Sequence, residues 1–188
     1  MPRTMPAGFT KQAQQASLAT AIQHPECFYH NHKNWCSPFH ADLWSTGRTG
    51  SGEWEQNGKT IYDPSPVGYK VPAEAAWSFV DNGMRYCKEG YGYWFYTSEA
   101  KSLGEMIYVP MGGYIDSGSA ATVNYLGASC VYWSRDNQSI ANAGGQAWGI
   151  LLYDGTYERV QHLMARGCTV MPILDTDDLS YPESYNWQ

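Results

Sequence analysis

Cys27-x-x-His30-x-His32-x-x-x-Cys36-x-x-x-His40 gathers three of the chain's five histidines and two of its five cysteines within 14 residues. Neutral imidazole and thiolate are the ligands that tetrahedral zinc prefers, so these residue types could close a metal site. The spacing fits no established finger, and Cys27 and Cys36 could equally form a local disulfide or remain unpaired on a surface loop. With five cysteines in all, at least one thiol stays free or pairs between chains. The sequence reading assigns no metal and no cofactor. Trp133-Ser134-Arg135-Asp136-Asn137 has the flavour of a lectin calcium signature but lacks the partner Glu-Pro-Asn or Gln-Pro-Asp that would complete the oxygen cage. No G-x-S-x-G, H-E-x-x-H, phosphate-cradling glycine loop or G-x-G-x-x-G follows a strand. Asp177-Asp178 reads as solvated charge in the tail. The residues therefore predict a protein that is not an enzyme.

Binding chemistry is better represented. Ser134 to Gln146 is polar, adaptable and glycine-bearing, and it mixes planar amides with one arginine, as ligand-contacting loops do. The strand before it ends at Trp133. If Trp133 faces the core, alternation puts Tyr132 and Ser134 outward. A hairpin after Asp154-Gly155 adds Tyr157, Arg159 and His162 as outward neighbours, with Val160 inward. The predicted ligand-binding set is Tyr125, Tyr132, Arg135, Asp136, Asn137, Tyr157, Arg159 and His162.

The elements that must carry these residues are short. The chain has 188 residues, enough for one domain with a sizeable core. Charged residues are only 16%, against about 25% in ordinary domains. Fifteen Tyr, eight Trp and five Phe stand beside 19 Gly and 10 Pro, which predicts many strands and turns. A net charge of −6 argues against a nucleic-acid partner, and no apolar run is long enough to insert in a membrane. One helix is predicted over Ala73–Val80, started by Pro72, stopped at Asn82-Gly83, and burying Trp77 and Val80. Strands are predicted at Met106–Pro110, Gly112–Gly118, Ser129–Ser134, Ala147–Tyr153 and Tyr157–Leu163, with a last one over Thr169–Leu174 that Pro172 places at an edge or bulge. Trp77, Trp94, Trp133 and Trp148 read as core residues. Lys11 to Ala21 reads as a short helix or linker. No signal-peptide core precedes it, which suggests delivery as part of something larger.

Four separated motifs resemble one family. Lys59-Thr60-Ile61-Tyr62-Asp63-Pro64-Ser65-Pro66-Val67-Gly68-Tyr69-Lys70-Val71-Pro72, with Trp77 following, is similar to a signature of the Fibrobacter-type major paralogous domain of Bacteroidales surface and fimbrial proteins. The segment from Cys27 to Trp44 resembles its lead-in. Val109-Pro110-Met111-Gly112-Gly113-Tyr114 with Tyr132-Trp133-Ser134 resembles its middle, and Arg166 to Leu174 its closing strand. The resemblance implies an α+β, C-type-lectin-like fold: a mixed, mainly antiparallel sheet with one or two flanking helices and long loops. It implies a domain over 22–175, with 1–21 as linker or extension and 176–188 as tail. A similar fold carries the variable proteins of diversity-generating retroelements and the formylglycine-generating enzymes. The expected function is a non-catalytic, adhesin-like module recognising a surface glycan or protein, on a cell surface or virion and within a larger assembly. The alternative is a formylglycine-generating oxidase, which would need Cys130 and Cys168 as its cysteine pair. Family members often carry Cys where Ser65 and Pro172 stand, so a staple between those sites is not expected here.

Overall fold

A computed structural model describes residues 10–30, 33–40, 43–44, 59–89, 91–118, 122–137 and 145–175, together with a short strand at Arg3–Met5. The strands in chain order are β1 (Arg3–Met5), β2 (Thr10–Gln12), β3 (Cys27–Tyr29), β4 (Tyr69–Lys70), β5 (Met84–Cys87), β6 (Gly92–Tyr96) and β7 (Met106–Pro110). They continue with β8 (Tyr114–Ile115), β9 (Val123–Leu126), β10 (Ser129–Asn137), β11 (Gln146–Tyr153), β12 (Thr156–Leu163) and β13 (Ile173–Leu174). Among the described residues, helix is confined to α1 (Leu18–Gln23), whose N-cap Ser17 accepts from the Thr20 amide, and a 3₁₀ helix over Glu74–Asn82. The architecture is thus mainly antiparallel sheet with little helix, consistent with an α+β or mainly-β class. Among the described residues no helix is long and apolar enough to cross a membrane.

Two three-stranded antiparallel sheets, β10-β11-β12 and β5-β6-β7, sandwich the main core. The β11–β12 hairpin turns at Asp154-Gly155, where both residues have positive φ (43° and 74°). That pair of left-handed residues matches the twist of the flanking strands and fixes an unbroken register from Tyr153↔Thr156 to Gln146↔Leu163. The predicted helix is present but wound as 3₁₀. With three residues per turn, Glu74, Trp77 and Val80 fall on one ridge. Trp77 and Val80 bury completely in the core beside Phe95, Val109 and Ile150, and Gly83 (φ +100°) ends the element.

Pro64, Pro66 and Gly68 shape the turn that leads into β4, as the sequence suggests, and Asp63 holds it from inside. Its carboxylate accepts from the amides of Ser65 (2.7 Å) and Val71 (3.0 Å), while Lys59 Nζ donates to the carbonyls of Pro66 (2.9 Å) and Tyr69 (2.7 Å). β4 pairs with β13, and the Lys70–Asp175 ion pair (2.8 Å) is buried beside it.

Two expectations are corrected. The closing strand pairs only over Ile173–Leu174; Thr169 instead bridges in parallel to Tyr132, because Pro172 has no N–H to extend the ladder. Trp94 is not core: it is 40% exposed on the outer face of β6, its ring tilted against that of Tyr108 at 5.1 Å. Ahead of Ile22, β1 pairs with β9, and β2 runs parallel to β3. The tail at 176–188 and most of the Ser134–Gln146 loop lie outside the described residues.

Candidate binding site

The β10-β11-β12 sheet is covered on both faces, and this redistributes the predicted site. Register puts Cys130, Leu152 and Tyr157 in one row and Tyr132, Ile150 and Arg159 in the next, all on the face that meets the 3₁₀ helix. Val131, Trp133, Gly149, Val160 and His162 belong to the opposite face by alternation.

Tyr132 therefore points into the core, contrary to the outward placement predicted for it. It is 2% exposed, packs on Trp77 at 5.3 Å, and its hydroxyl donates to the Pro110 carbonyl at 2.8 Å. Burial pushes its phenol pKa well above the ordinary value. Ser134, also predicted outward, is 1% exposed and donates to the Trp148 carbonyl at 3.0 Å. The assumption that failed is that one face of this strand meets solvent.

Asp136 is buried and accepts from the Glu74 amide, capping the 3₁₀ helix, whose N-cap Ala73 has no side chain to do so. Burial raises its pKa, and the Glu74 amide bond opposes that shift. Tyr157 donates to Asp81, and Arg159 pairs with Glu74 (2.7 Å) and Asp81 (3.4 Å). These three fasten the helix to the sheet. Asn137 pairs with Ala147 at the end of β10, across a register shift.

The other residues of the set gather on the opposite side. His162 cannot accompany Tyr157 and Arg159, because it differs from them in strand parity and meets Trp133 edge-on at 6.4 Å. Its Nδ1 accepts from Arg166 Nη1, which assigns the proton to Nε2; that atom is buried without a described partner. Burial and the Arg166 charge lower its pKa to about 4, so the ring is neutral. Arg166 also donates Nε to Asp116 (3.1 Å) and lies over the Tyr114 ring (5.7 Å), on which Tyr125 stacks at 5.4 Å. Tyr125 itself is 46% exposed and held at φ +59°.

Behind Trp133 lies a cavity of about 470 Å³. Its walls come from the back of β10 and β11 (Trp133, Arg135, Ala147), the 164–170 segment including Arg166, and the N-terminal segments bearing Phe28 and Trp35. Trp133 fits against its own sheet because its partner position is Gly149, where an added Cβ would meet the Tyr132 carbonyl at 2.7 Å and the Trp133 ring at 3.4 Å. Asn34 fixes the covering segment: its Nδ2 donates to the Cys36 carbonyl (2.9 Å) and its Oδ1 accepts from the Cys36 amide (3.2 Å). Arg135 was in the predicted set. Arg166, Trp35 and Phe28 were not; Phe28 and Trp35 stand in the aromatic-dense Cys/His stretch, and Arg166 opens the segment that resembles a closing strand.

The described residues of that stretch contribute walls to the cavity. Cys27 and Cys36 are free thiols that line the cavity. His30 is buried and stacks on Phe28 at 6.3 Å. His32 lies outside the described residues, among which no three His, Cys, Asp or Glu side chains are placed to hold a metal ion. Cys130 is fully buried against Met111 (S–S contact 3.5 Å), and burial pushes its thiol up to about 12. The Cys168 thiol is also pushed up by burial. Both are held as thiols, the unreactive form.

Comparison of the chain with protein-family models, with curated proteins and with solved structures finds no match.

Proposed function

We propose that this chain is a non-catalytic binding module with a C-type-lectin-like arrangement, seating its ligand in the cavity behind Trp133. The observation that carries the reading is the cavity itself. It is a concave site of the size that small ligands use, walled by aromatic rings and provided with two guanidinium groups on rigid strands and a tethered segment. The resemblance of the Asp63–Pro72 turn and the Gly112-Gly113 region to the Fibrobacter-type domain supports an adhesin-like role at a cell surface or virion, within a larger assembly, for a protein or glycan ligand. A retroelement-diversified receptor binder belongs to the same class. The oxidase alternative draws no support from Cys130 and Cys168, since burial keeps both protonated.

The test uses the full chain on glycan arrays, peptide arrays and intact bacterial or host cells, with and without thiol alkylation. The reading expects binding that alkylation of exposed thiols leaves intact and that Trp35→Ala removes. Activity abolished by alkylation, with no binding detected, would reverse it.

A further inference from the structure

We infer that the cavity selects a ligand end with an apolar or aromatic body and one carboxylate, the chemistry of a free aromatic acid or of a peptide's C-terminal residue. This inference rests on the binding-module reading above and names the ligand class of that site.

Three observations carry it. First, the charge is one-sided: Arg135 and Arg166 line the cavity and no carboxylate stands among its described lining residues, although the chain as a whole carries −6. Of the acids just outside the lining, Asp116 pairs with one side of Arg166 and Asp136 lies beside Arg135. Asp116 takes Arg166 Nε (3.1 Å) and the Ser117 amide (2.8 Å), and Asp136 caps the 3₁₀ helix.

Second, Arg166 is aimed. Asp116 on Nε and the neutral His162 ring on Nη1 fix the guanidinium plane over Tyr114, and among the described residues Nη2 takes no partner. The N–H groups of Nη2 are left to donate to a carboxylate oxygen. His162 and Asp116 are positioning residues in this scheme.

Third, the lining offers little to a polyhydroxylated ligand. Asn34 spends both amide atoms on Cys36, and Ser134 donates to Trp148. The uncharged or titratable polar side chains remaining among the described lining residues are Tyr29 and His40, and the rest of the wall is largely apolar and aromatic, with Phe28, Trp35, Trp133 and Met164 prominent. A sugar would leave hydroxyls unpaired there, at the cost of their hydration. An indole or phenyl ring would not.

The test is titration of the full chain with matched pairs that differ only in charge: indole-3-propionate against its amide, and Gly-Gly-Trp with a free against an amidated C-terminus. Glucuronate and glucose form the sugar arm. The expected result is that each carboxylate binds at least tenfold more tightly than its amide, and that both sugars bind more weakly than the indole acid. Arg166→Gln should bring acid and amide within about twofold of each other, and Arg166→Lys should restore part of the difference. Tighter binding of the tripeptide than of the free acid assigns the site to a protein C-terminus; equal binding assigns it to the free acid. Because Arg166→Gln also loses its bond to Asp116, the wild-type chain supplies an independent reading. Its Trp35 and Trp133 indole N–H resonances should shift with the acid at concentrations where the amide leaves them unmoved.

Equal affinity for acid and amide, glucuronate binding as tightly as indole-3-propionate, or no binding of any acid at millimolar concentration would each overturn the inference. If array ligands still bind and Trp35→Ala removes them, the ligand class falls while the binding site stands. If Trp35→Ala changes nothing on any array, the site falls as well.

Discussion

The carboxylate of Asp136 accepts from the backbone amide of Glu74, 62 residues earlier in the chain. A residue whose neighbours in sequence suggest a ligand loop is thereby the N-terminal cap of the 3₁₀ helix. The N-cap position is held by Ala73, whose methyl group cannot cap the helix. The first prediction follows from this bond. Asp136→Ala should lower stability by about 1–2 kcal/mol, the usual worth of a side-chain cap, while ligand affinity stays unchanged. Urea unfolding alongside binding measures both. Unaltered stability would place the cap elsewhere.

Gly149 supports the site by absence of a side chain. A methyl group there would press on the Tyr132 carbonyl at 2.7 Å and the Val131 side chain at 3.2 Å, and backbone cannot easily give way. Gly149→Ala is expected to cost about 1–3 kcal/mol, as overpacked substitutions do, and to weaken binding by displacing the Trp133 ring. Gly104→Ala is the control, because its nearest neighbour is Ser102 Oγ at 3.9 Å and stability should stay within about 0.5 kcal/mol. Equal melting temperatures for the two variants would contradict the packing described.

The fasteners should be separable from recognition. Tyr157→Phe removes the hydroxyl that binds Asp81, and Arg159→Met removes the ion pairs to Glu74 and Asp81. Because these groups are partly exposed, each change should cost no more than about 1 kcal/mol. Neither should alter affinity by more than about twofold. A large affinity loss with intact folding would return these residues to the ligand face.

His162 gives a pH signature. Its pKa falls from 6.5 to about 4 on folding, through burial first and the Arg166 charge second, with Asp116 opposing. The unfolded chain therefore binds the proton more readily than the folded one. The stability due to the neutral ring is complete above pH 6.5 and is lost as pH falls toward about 4. Asp116, Arg166, Tyr114 and Trp133 are the groups around the ring. Comparing wild type with His162→Gln across pH 7 to 4 isolates this contribution from carboxylate titration, including that of Asp136. Parallel stability curves would show that the ring is not held neutral.

Local signals in the sequence were enough to find most elements. Pro72 and Asn82-Gly83 bracket the helix, Asp154-Gly155 marks the hairpin, and β7, β10, β11 and β12 fall close to their apolar runs. The site was less legible, for two physical reasons. Alternation along β10 says that Tyr132 and Trp133 face opposite ways, but it cannot say that both faces are covered, and both residues are buried. Nor does spacing reveal that residues 33–36 fold back over the sheet to meet Gly145 and Ala165; an added Cβ at Gly145 would meet Asn34 Cβ at 2.8 Å. The sequence reading places Arg135 in the polar loop after Trp133 and His162 beside Tyr157 and Arg159 on the hairpin, whereas the structure puts Arg135 in the cavity wall and His162 against Trp133. Parity along β12 already separates His162 from Tyr157 and Arg159, and the unbroken register of that hairpin makes the separation physical.

The most direct measurement is ligand affinity of Trp35→Ala against Arg159→Ala in the full chain, with melting temperatures recorded for both. A binding site behind Trp133 predicts at least a tenfold loss for Trp35→Ala and a change within about twofold for Arg159→Ala. Binding that survives Trp35→Ala but disappears with Arg159→Ala, both variants folded, would contradict it and move recognition to the helix-facing side of the sheet.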